Sequence, residues 1–501
     1  MDIYSGVRWS AVAKYSTQCI EVVVSIIVAR LVAPEAYGLL SMAVVVTGFV
    51  AVFQDLGFGS ALIQRKEINE SLLSSLFFVG LAAGAAIAAG LLCASPFCSW
   101  VYHDPRVGPI VAVLSITFLL SSPGLVPWSL LTRRLEFRRL AWIEISVSVV
   151  RSACVLSLAV AGAGVWALVW PSIVGAALNV PLVFLASRWR PRWHFSWSEV
   201  RSVFGFGANV TGFSIVNYFA RNADAFIIGV FLGAGPLGFY SMAYGIMLKP
   251  RDAVTSVLMR VLFPAFSRMQ DDDARLNAAY LRTCGAIAFV TFPMMLGLLA
   301  VAQPFVQVVL GAKWLPIVPL IYVFAPLGAV QSVSSSVGNL FLAKGRADWF
   351  FRCGVIGAIL SVGSFLLGLP WGIFGVALSY TLMSTVWSVA CFFIAFRLLK
   401  ESRLRTLAQA LQPYIVAAGS MALLVTACRH LFAYFGFAPS VVLMVCVTLG
   451  IVSYAAIAVC LWPPALDDLL RLAPKRLAAS LRYLPDRLRP AMLRNTLLSD
   501  E

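Results

Sequence analysis

Charged residues are scarce in this sequence. Only 12% of its 501 residues are Asp, Glu, Lys or Arg, whereas hydrophobic residues make up 60%. Soluble domains carry about 25% charged residues, so this chain has too little polar side chain to cover a surface in water. The same composition excludes a coiled coil, a disordered chain and a small disulfide-stabilised secreted domain. The sequence therefore predicts an integral membrane protein.

Motifs of several enzyme and metal-binding classes are also missing. The ten cysteines include no C-x-x-C spacing and the three histidines are far apart, which argues against a zinc site. Cys93 and Cys98 lie near one predicted helix end, where buried free thiols are favoured over a disulfide. There is no P-loop for ATP hydrolysis, and no long loop with paired carboxylates or a Ser/His pair. We expect a protein that is not an enzyme and needs no metal or cofactor.

Long apolar runs dominate the chain. A helix that crosses the hydrocarbon needs about 20 apolar residues. The runs are continuous, which excludes barrel strands, and the charges in the first run argue against a cleavable signal peptide. The sequence predicts an all-α polytopic protein with about fourteen transmembrane helices, near 9–32, 37–58, 72–94, 108–131, 140–161, 163–186, 206–232, 237–265, 279–302, 315–342, 352–369, 372–397, 412–431 and 437–462.

The basic residues predict the orientation of these helices. Cytoplasmic loops collect Lys and Arg. If both termini are cytoplasmic, 29 of the 38 basic residues fall on that side, and only Arg106, Lys313 and Arg429 fall on the other. Topology thus explains most of the net charge of +16, and we expect no nucleic-acid partner.

An internal repeat divides the chain. With an offset of 200 residues, the segment 27–43 aligns with 227–243, and each copy joins the first and second helix of a six-helix block. The identical pairs are Ile27/Ile227, Gly38/Gly238, Ser41/Ser241, Met42/Met242 and Ala43/Ala243. Repeated halves are a transporter architecture with the substrate site near the bilayer midplane.

The repeat predicts four parts of the chain. Residues 1–202 form an N-terminal six-helix bundle and residues 203–398 a second bundle in the same orientation. Residues 399–463 add two transmembrane helices. Residues 464–501 alternate Leu with Arg and Lys at helical spacing, which predicts a basic amphipathic tail on the anionic lipids of the cytoplasmic leaflet.

Several charged side chains lie inside the predicted helices. Such charges are costly in the hydrocarbon and usually face a protein interior or a water-filled cavity. Lys14 and Glu21 share one face of the first helix, and the offset of 200 places Asn217 and Arg221 on the same face of the seventh. Asp224 lies one turn beyond Arg221.

Further embedded charges complete the candidate site. Glu144 and Arg151 are seven residues apart in the fifth helix, and Pro250 separates Lys249 from Arg251 in the eighth, where a kink is expected. The cations suit the oxygens of a pyrophosphate, while the carboxylates could exchange protons or Na⁺. The alternative is that pairs such as Arg221 with Asp224 only neutralise one another and hold helices in register. The predicted substrate site comprises Lys14, Glu21, Arg151, Asn217, Arg221, Asp224, Lys249 and Arg251.

Four stretches resemble a known family. They read LVAPEAYGLLSMA (31–43), FQDLGFGSALIQR (53–65), SLLTRRLEFRRLA (129–141) and FPAFSRMQDDDARL (263–276). They look like polysaccharide transporters of the Wzx/WzxC type, in the multidrug/oligosaccharidyl-lipid/polysaccharide exporter superfamily. The resemblance covers the first twelve helices. It implies two six-helix bundles in a V that alternate between inward- and outward-open states.

The resemblance also implies a function and partners. Such proteins are flippases of the bacterial inner membrane that move undecaprenyl-pyrophosphate-linked oligosaccharides to the periplasmic leaflet, for lipopolysaccharide or exopolysaccharide assembly. The polymerase and the chain-length machinery are further implied partners. Two alternatives stay open: a cation-coupled multidrug exporter that uses Glu21 and Asp224, and a scaffold that transports nothing.

Overall fold

The structure is a computed structural model. It describes residues 3–54, 58–65, 68–398, 403–461 and 464. Side chains are described for the same residues except 3–7, 11, 60, 61, 64, 202–217, 220 and 256–264. Across the described ranges the chain forms helices joined by short turns and loops, without a β-strand. The prediction of an all-α protein is confirmed.

In the described residues, the first half of the chain forms nine α-helices. They are α1 Ile3–Leu31, α2 Pro34–Gln54, α3 Phe58–Gln64, α4 Glu70–Val101, α5 Val107–Ser121, α6 Leu125–Arg133, α7 Phe137–Val160, α8 Trp166–Ser187 and α9 Trp197–Leu232.

The second half adds eight more α-helices. They are α10 Ala234–Ser267, α11 Asp273–Phe305, α12 Val318–Ser334, α13 Val337–Ala343, α14 Ala347–Gly368, α15 Gly372–Leu398, α16 Leu404–Tyr434 and α17 Pro439–Leu461. A π-helical turn (Val306–Leu310) and a 3₁₀ turn (Ala312–Ile317) connect α11 to α12.

Each of the fourteen predicted segments overlaps one of these helices or a broken pair. The segment 108–131 is broken at Pro123 by the 3₁₀ turn Ser122–Gly124, because proline lacks an amide hydrogen. The segment 315–342 is broken between α12 and α13. Proline does not always end a helix here, since α10 continues as helix through Pro250.

Eleven stretches in the described part of the chain are long and apolar enough to cross a membrane. One of them, Ala347–Leu398, contains both α14 and α15. The charged helices α9 and α10 are not among the eleven. A multi-pass membrane protein is therefore confirmed, whereas the count of fourteen spans stays a prediction.

Side-chain caps begin two of the long helices. The Asn69 carboxamide oxygen accepts a hydrogen bond from the Leu72 amide (2.8 Å) at the start of α4. Asp272 accepts one from the Arg275 amide (2.9 Å) at the start of α11. Such caps satisfy amides that have no partner within the helix. Both helices therefore begin in hydrogen-bonded turns outside their apolar runs.

The chain divides into two compact units. The first comprises Met1–Met242 with Leu369–Ile373, and the second comprises Ala243–Gly368 with Phe374–Glu501. In the first unit, one buried cluster joins α3, α4, α6 and the start of α9, and another joins α1, α2, α7 and α8. In the second unit, the largest cluster contains buried side chains of α10, α11, α12, α13, α15 and α16. Partly buried side chains of α14 and α17 pack against it.

Helices α16 and α17 pack in the second unit against α11. The Tyr454 hydroxyl of α17 donates to the Phe289 carbonyl (2.6 Å). A Cβ atom at Gly285 would lie 2.7 Å from the Tyr414 hydroxyl, so the glycine makes room for this ring. The two helices outside the repeat are thus fixed by the buried Tyr414 and the half-buried Tyr454.

The predicted four-part division stays a prediction. The amphipathic tail that we expect at 464–501 lies outside the described residues except for position 464. All ten cysteines are free thiols, including Cys93 and Cys98. The prediction that these two cysteines are free thiols is therefore confirmed, although Cys98 is buried and Cys93 is exposed.

Candidate substrate site

Helices α1 and α7 pack side by side and run in the same direction. Near their first turns, the Arg138 guanidinium lies 5.4 Å from the centre of the Trp9 ring. Near their last turns, Val28 and Val32 share a buried cluster with Ala159. Residues 9 and 138 are 129 apart in the sequence, and residues 28 and 159 are 131 apart. The offset between the two helices is therefore nearly constant along their length. This register determines which charges of the two helices lie at the same depth.

The register brings opposite charges to the same levels of α1 and α7. From this register we infer that Lys14 lies near the level of Glu144, and Glu21 near the level of Arg151. On each helix the two charges are seven residues apart, which is about 10.5 Å along the axis and nearly the same face. All four side chains are exposed. Glu21 and Arg151, both predicted site residues, therefore share one depth on adjacent helices.

Arg151 is exposed as a whole, but its aliphatic carbons pack against α8. A Cβ atom at Gly175 of α8 would lie 2.6 Å from Arg151 Cδ, so the glycine makes room for the aliphatic part. Among the described residues, Glu21, Glu144 and Arg151 belong to no ion pair. The Arg151 guanidinium is thus held by packing rather than by a carboxylate.

Arg221 and Asp224 of α9, which could have neutralised one another, lie in different environments. Asp224 is buried, with 7% of its surface exposed, and accepts a hydrogen bond from the Tyr240 hydroxyl of α10 (3.2 Å). Arg221 is exposed and forms no ion pair with Asp224. Asp224 therefore links α9 to α10, while Arg221 lies on the exposed surface of α9. The side chain of Asn217 lies outside the described residues.

Helix α9 is also fixed to α2 beside these charges. The Tyr218 hydroxyl donates to the Val45 carbonyl (2.8 Å), and its ring centre lies 6.1 Å from that of Phe49. A Cβ atom at Gly48 would lie 2.6 Å from the Tyr218 hydroxyl. Because Tyr218 is one turn before Arg221, these contacts restrict where the guanidinium can reach.

In the second unit, Arg251 belongs to a polar network. Its Nη1 donates to Gln331 Oε1 of α12 (2.7 Å), and Nε and Nη2 donate to Asp252 Oδ1 (3.0 and 2.9 Å). Gln331 Nε2 in turn donates to the hydroxyls of Tyr380 (3.1 Å) and Ser384 (3.0 Å) on α15. The network holds the guanidinium in a defined orientation. Lys249, two residues before Arg251, is exposed.

Sequence reasoning missed Gln331, which binds Arg251, and the two hydroxyls that bind Gln331. Gln331, Tyr380 and Ser384 are polar residues inside long apolar runs. An amide in such a run is a signal that a partner is near, because an unbonded polar group in hydrocarbon is costly. The sequence does not indicate which helix supplies that partner, because α10, α12 and α15 are far apart along the chain.

The two copies of the repeat meet at their shared glycines. A Cβ atom at Gly38 of α2 would overlap the backbone carbonyl of Ala234, and one at Gly238 of α10 would overlap that of Pro34. All four residues lie in the first unit. Pro34 and Ala234 are related by the same offset of 200 as the glycines, so the contact is reciprocal, as at a two-fold axis. Only glycine fits at these two helix positions.

Three arginines of the stretch 129–141 bind carbonyl groups at helix ends. Arg133 donates to the Leu62 carbonyl (2.9 Å) and to that of Arg65, at the end of α3. Arg134 donates to the Ser187 carbonyl (3.0 Å), and Arg139 to the Ala186 carbonyl (3.1 Å), at the end of α8. Cations at helix C-termini satisfy carbonyls that lack a partner. This basic motif is therefore structural.

The loop between α4 and α5 carries a small charged cluster. Arg106 Nη2 bonds to Glu35 (2.6 Å) and to Asp104 (2.7 Å), next to the start of α2. The hydrogen bond from Arg106 holds the pKa of Asp104 below its usual range. Tyr102 is buried, with 3% exposed, whereas Trp100 is exposed. The cluster ties the loop to α2 and offers no group for catalysis.

The site residues are suited to binding anions. Six of the eight predicted residues lie in the first unit, and Lys249 and Arg251 lie in the second. The described part of the chain contains no group of three His, Cys, Asp or Glu side chains that could hold a metal ion. Exposed guanidinium and ammonium groups on membrane helices instead favour phosphate oxygens.

The sequence matches a known family over more than half of its length. The profile described as "Polysaccharide biosynthesis protein" matches residues 27–319. The lipopolysaccharide biosynthesis protein WzxC of Escherichia coli (strain K12) is 29% identical over 400 residues, which are 78% of this chain and 80% of WzxC. The succinoglycan biosynthesis transport protein ExoT of Rhizobium meliloti (strain 1021) is 29% identical over 433 residues, 86% of this chain and 87% of ExoT.

A solved structure has the same fold. The lipid II flippase MurJ in an inward closed conformation matches with a TM-score of 0.72 at 14% identity, over 90% of this chain and 98% of MurJ. At this identity the match concerns the fold alone. The predicted resemblance to Wzx/WzxC-type proteins is confirmed by these comparisons. With the family profile matching residues 27–319, the chain belongs to the polysaccharide biosynthesis protein family.

Proposed function

We propose that this protein is a flippase for undecaprenyl-pyrophosphate-linked oligosaccharides. It moves repeat units of lipopolysaccharide or exopolysaccharide across the bacterial inner membrane by alternating access. The observation that carries the proposal is the exposure of Arg151 on the apolar helix α7 and of Arg221 on α9, each without a carboxylate partner among the described residues. The names of the relatives WzxC and ExoT support a role in polysaccharide export.

The embedded cations give the pyrophosphate its binding groups. Arg151, Arg221 and Lys14 pair with the phosphate oxygens, and Lys249 and Arg251 draw the headgroup in from the cytoplasmic side. Charge-assisted hydrogen bonds of this kind are about twice as strong as neutral ones. The sugars occupy a water-filled cavity while the prenyl chain stays in lipid.

Both termini lie in the cytoplasm in this proposal. That orientation places 29 of 38 basic residues on the cytoplasmic side. The flipped lipid is then delivered to the periplasmic leaflet, where a polymerase and its chain-length machinery take it over.

A cation-coupled multidrug exporter is the second candidate function. Exposed Glu21 favours it, since a carboxylate can exchange protons or Na⁺. The buried Asp224 weakens it, because this carboxylate is bonded to Tyr240. Drug-resistance assays with and without expression separate the two candidates. A scaffold is the third, and it predicts that variants with a neutralised site still restore polymer synthesis in a deletion strain.

Deleting the protein tests the proposed function directly. We expect complete undecaprenyl-linked repeat units to accumulate on the cytoplasmic leaflet, because synthesis continues while translocation stops. The measurement is mass spectrometry of extracted prenyl-linked lipids combined with a leaflet-specific sugar label. Accumulation of incomplete units would instead indicate a defect in synthesis and contradict the proposal.

Changing Gln331 to Leu tests the network around Arg251. The change removes the acceptor of Arg251 Nη1. A hydrogen bond to a charged group contributes about 1.5–3 kcal/mol, so we expect the rate of translocation to fall roughly tenfold. The measurement is polymer exported per cell at equal protein level in the membrane.

The double variant Arg251→Gln/Gln331→Leu tests whether the slower translocation of the Gln331→Leu variant arises through Arg251. If Gln331 acts through Arg251, the double variant is no slower than Arg251→Gln alone. Gln303→Leu, on an exposed position of α11, is the matched control and keeps normal export. Additive effects of the two changes would show that Gln331 does not position Arg251.

A further inference from the structure

The segment 188–197, which connects α8 to α9, exposes both cations and aromatic rings. We call it the Arg/Trp segment. Its cations are Arg188, Arg190 and Arg192, all exposed. Its exposed rings are Trp193 (95%), Phe195 (53%) and Trp197 (63%). No acidic residue occurs within it.

Hydrogen bonds to buried serines fix this segment on α4. The Arg192 amide donates to Ser74 Oγ (3.0 Å), and the Ser196 amide donates to Ser75 Oγ (2.9 Å). Both serines are fully buried. Trp189 is buried as well, and its indole Nε1 donates to Glu70 (3.1 Å). The backbone is therefore held in place while the arginines and rings point outward.

The acidic neighbours of the segment already have partners. Glu70 accepts from Trp189, and Glu199 accepts from the Asn69 carboxamide (2.8 Å). The nearby Arg133 and Arg134 bind helix-end carbonyls. The Trp189 and Asn69 donors are neutral and leave both carboxylates charged, but the three exposed arginines of the Arg/Trp segment outnumber them and form no ion pair within the described residues.

We propose that the Arg/Trp segment binds the headgroups of anionic phospholipids in the leaflet that the basic loops face. Arg–phosphate pairs supply the electrostatic attraction, and Trp and Phe rings beside them lie at the depth of the headgroups, as aromatic belts do. Each basic residue near an anionic surface contributes about fivefold in affinity. This site is separate from the proposed substrate site and does not rest on it.

The position of the segment gives lipid binding a consequence. The segment is the chain connection between α8 and α9, the last helix of the first predicted bundle and the first helix of the second. Anionic lipid bound there fixes the connection against the membrane surface.

The test counts lipids on the purified full-length protein. Delipidated protein in neutral detergent is titrated with dioleoyl-phosphatidylglycerol or with dioleoyl-phosphatidylcholine, and bound lipid is counted by native mass spectrometry. We expect phosphatidylglycerol to bind at least tenfold more tightly. Salt at 0.3 M should weaken that preference, because exposed charges are screened. Equal affinity for both lipids in the native protein would overturn the proposal.

Matched variants locate the binding. The triple variant Arg188→Gln/Arg190→Gln/Arg192→Gln should lose at least tenfold in affinity for phosphatidylglycerol, and the Arg→Lys triple should retain most of it. The control triple neutralises Arg106, Lys313 and Arg429, which the basic-residue count assigns to the opposite side of the membrane. Trp193→Ala should weaken lipid binding several-fold without altering binding of inorganic phosphate. An equal loss in the control triple, or no loss in the first triple, would overturn the proposal.

Discussion

Neutralising Arg151 and Arg221 together should stop polymer export while the protein stays in the membrane. We expect the variant Arg151→Gln/Arg221→Gln to translocate repeat units about a hundredfold more slowly. Each charge-assisted hydrogen bond to phosphate contributes about 1.5–3 kcal/mol, and 1.4 kcal/mol corresponds to about tenfold in rate. The measurement is exported polymer per cell, together with the amount of protein in the membrane.

Stability should change little in this variant. Neither guanidinium has a carboxylate partner among the described residues, so their removal leaves no buried charge unpaired. The matched control is Arg268→Gln/Arg275→Gln, which removes the same charge from exposed positions. Normal export by the Arg151→Gln/Arg221→Gln variant would remove both arginines from the site.

Adding one methyl group to Gly38 or Gly238 should have the second large effect. A Cβ atom at either position overlaps a backbone carbonyl, which cannot rotate away as a side chain can. Overpacking costs about 1–3 kcal/mol, and here α2 and α10 must also separate. We expect Gly38→Ala and Gly238→Ala to lower the thermal midpoint and to slow export by at least tenfold. Both quantities are measured on protein expressed at matched levels.

Neighbouring glycines provide the control for this pair. A Cβ atom at Gly235, in the same helix as Gly238, or at Gly90 in α4 meets no heavy atom within 4 Å. Alanine is a better helix former than glycine by about 1 kcal/mol, so these changes should raise stability slightly. Because the contact is reciprocal, Gly38→Ala and Gly238→Ala should also have similar effects. Loss in one variant with none in the other would contradict the two-fold relation.

The helices and the repeat were predictable from the sequence for a simple physical reason. An apolar run of 20 residues in lipid has to be helical, since backbone groups find no other partners there. The repeated Gly38 and Gly238 were visible as identical pairs. That they touch was not visible, because sequence identity between repeats does not indicate where the symmetry axis lies.

The candidate site was predictable only in part. Embedded charge predicts Glu21, Arg151 and Arg221 as site residues, since charges are rare in membrane helices, and this stays a prediction. Helical spacing alone suggested a pair between Arg221 and Asp224, but Asp224 is buried against Tyr240. A spacing of three residues does not specify which way each side chain turns.

The sequence could not show which residues of distant helices bind its arginines. Gln331 binds Arg251, and Tyr380 and Ser384 bind Gln331, through contacts that depend on the packing of three helices. The arginines of the stretch 129–141 look like a functional motif, yet Arg133, Arg134 and Arg139 satisfy carbonyls at helix ends. In both cases the sequence gives the charge, and the packing of the helices decides its role.

Transport by the purified protein tests the central claim most directly. The protein is reconstituted into vesicles, and the translocation of a fluorescent undecaprenyl-pyrophosphate-linked oligosaccharide is followed by a quencher that reaches only the outer leaflet. The account predicts translocation by the native protein and by Arg268→Gln/Arg275→Gln, and a rate about a hundredfold lower for Arg151→Gln/Arg221→Gln. No translocation by the native protein, or equal rates for all three proteins, would contradict it.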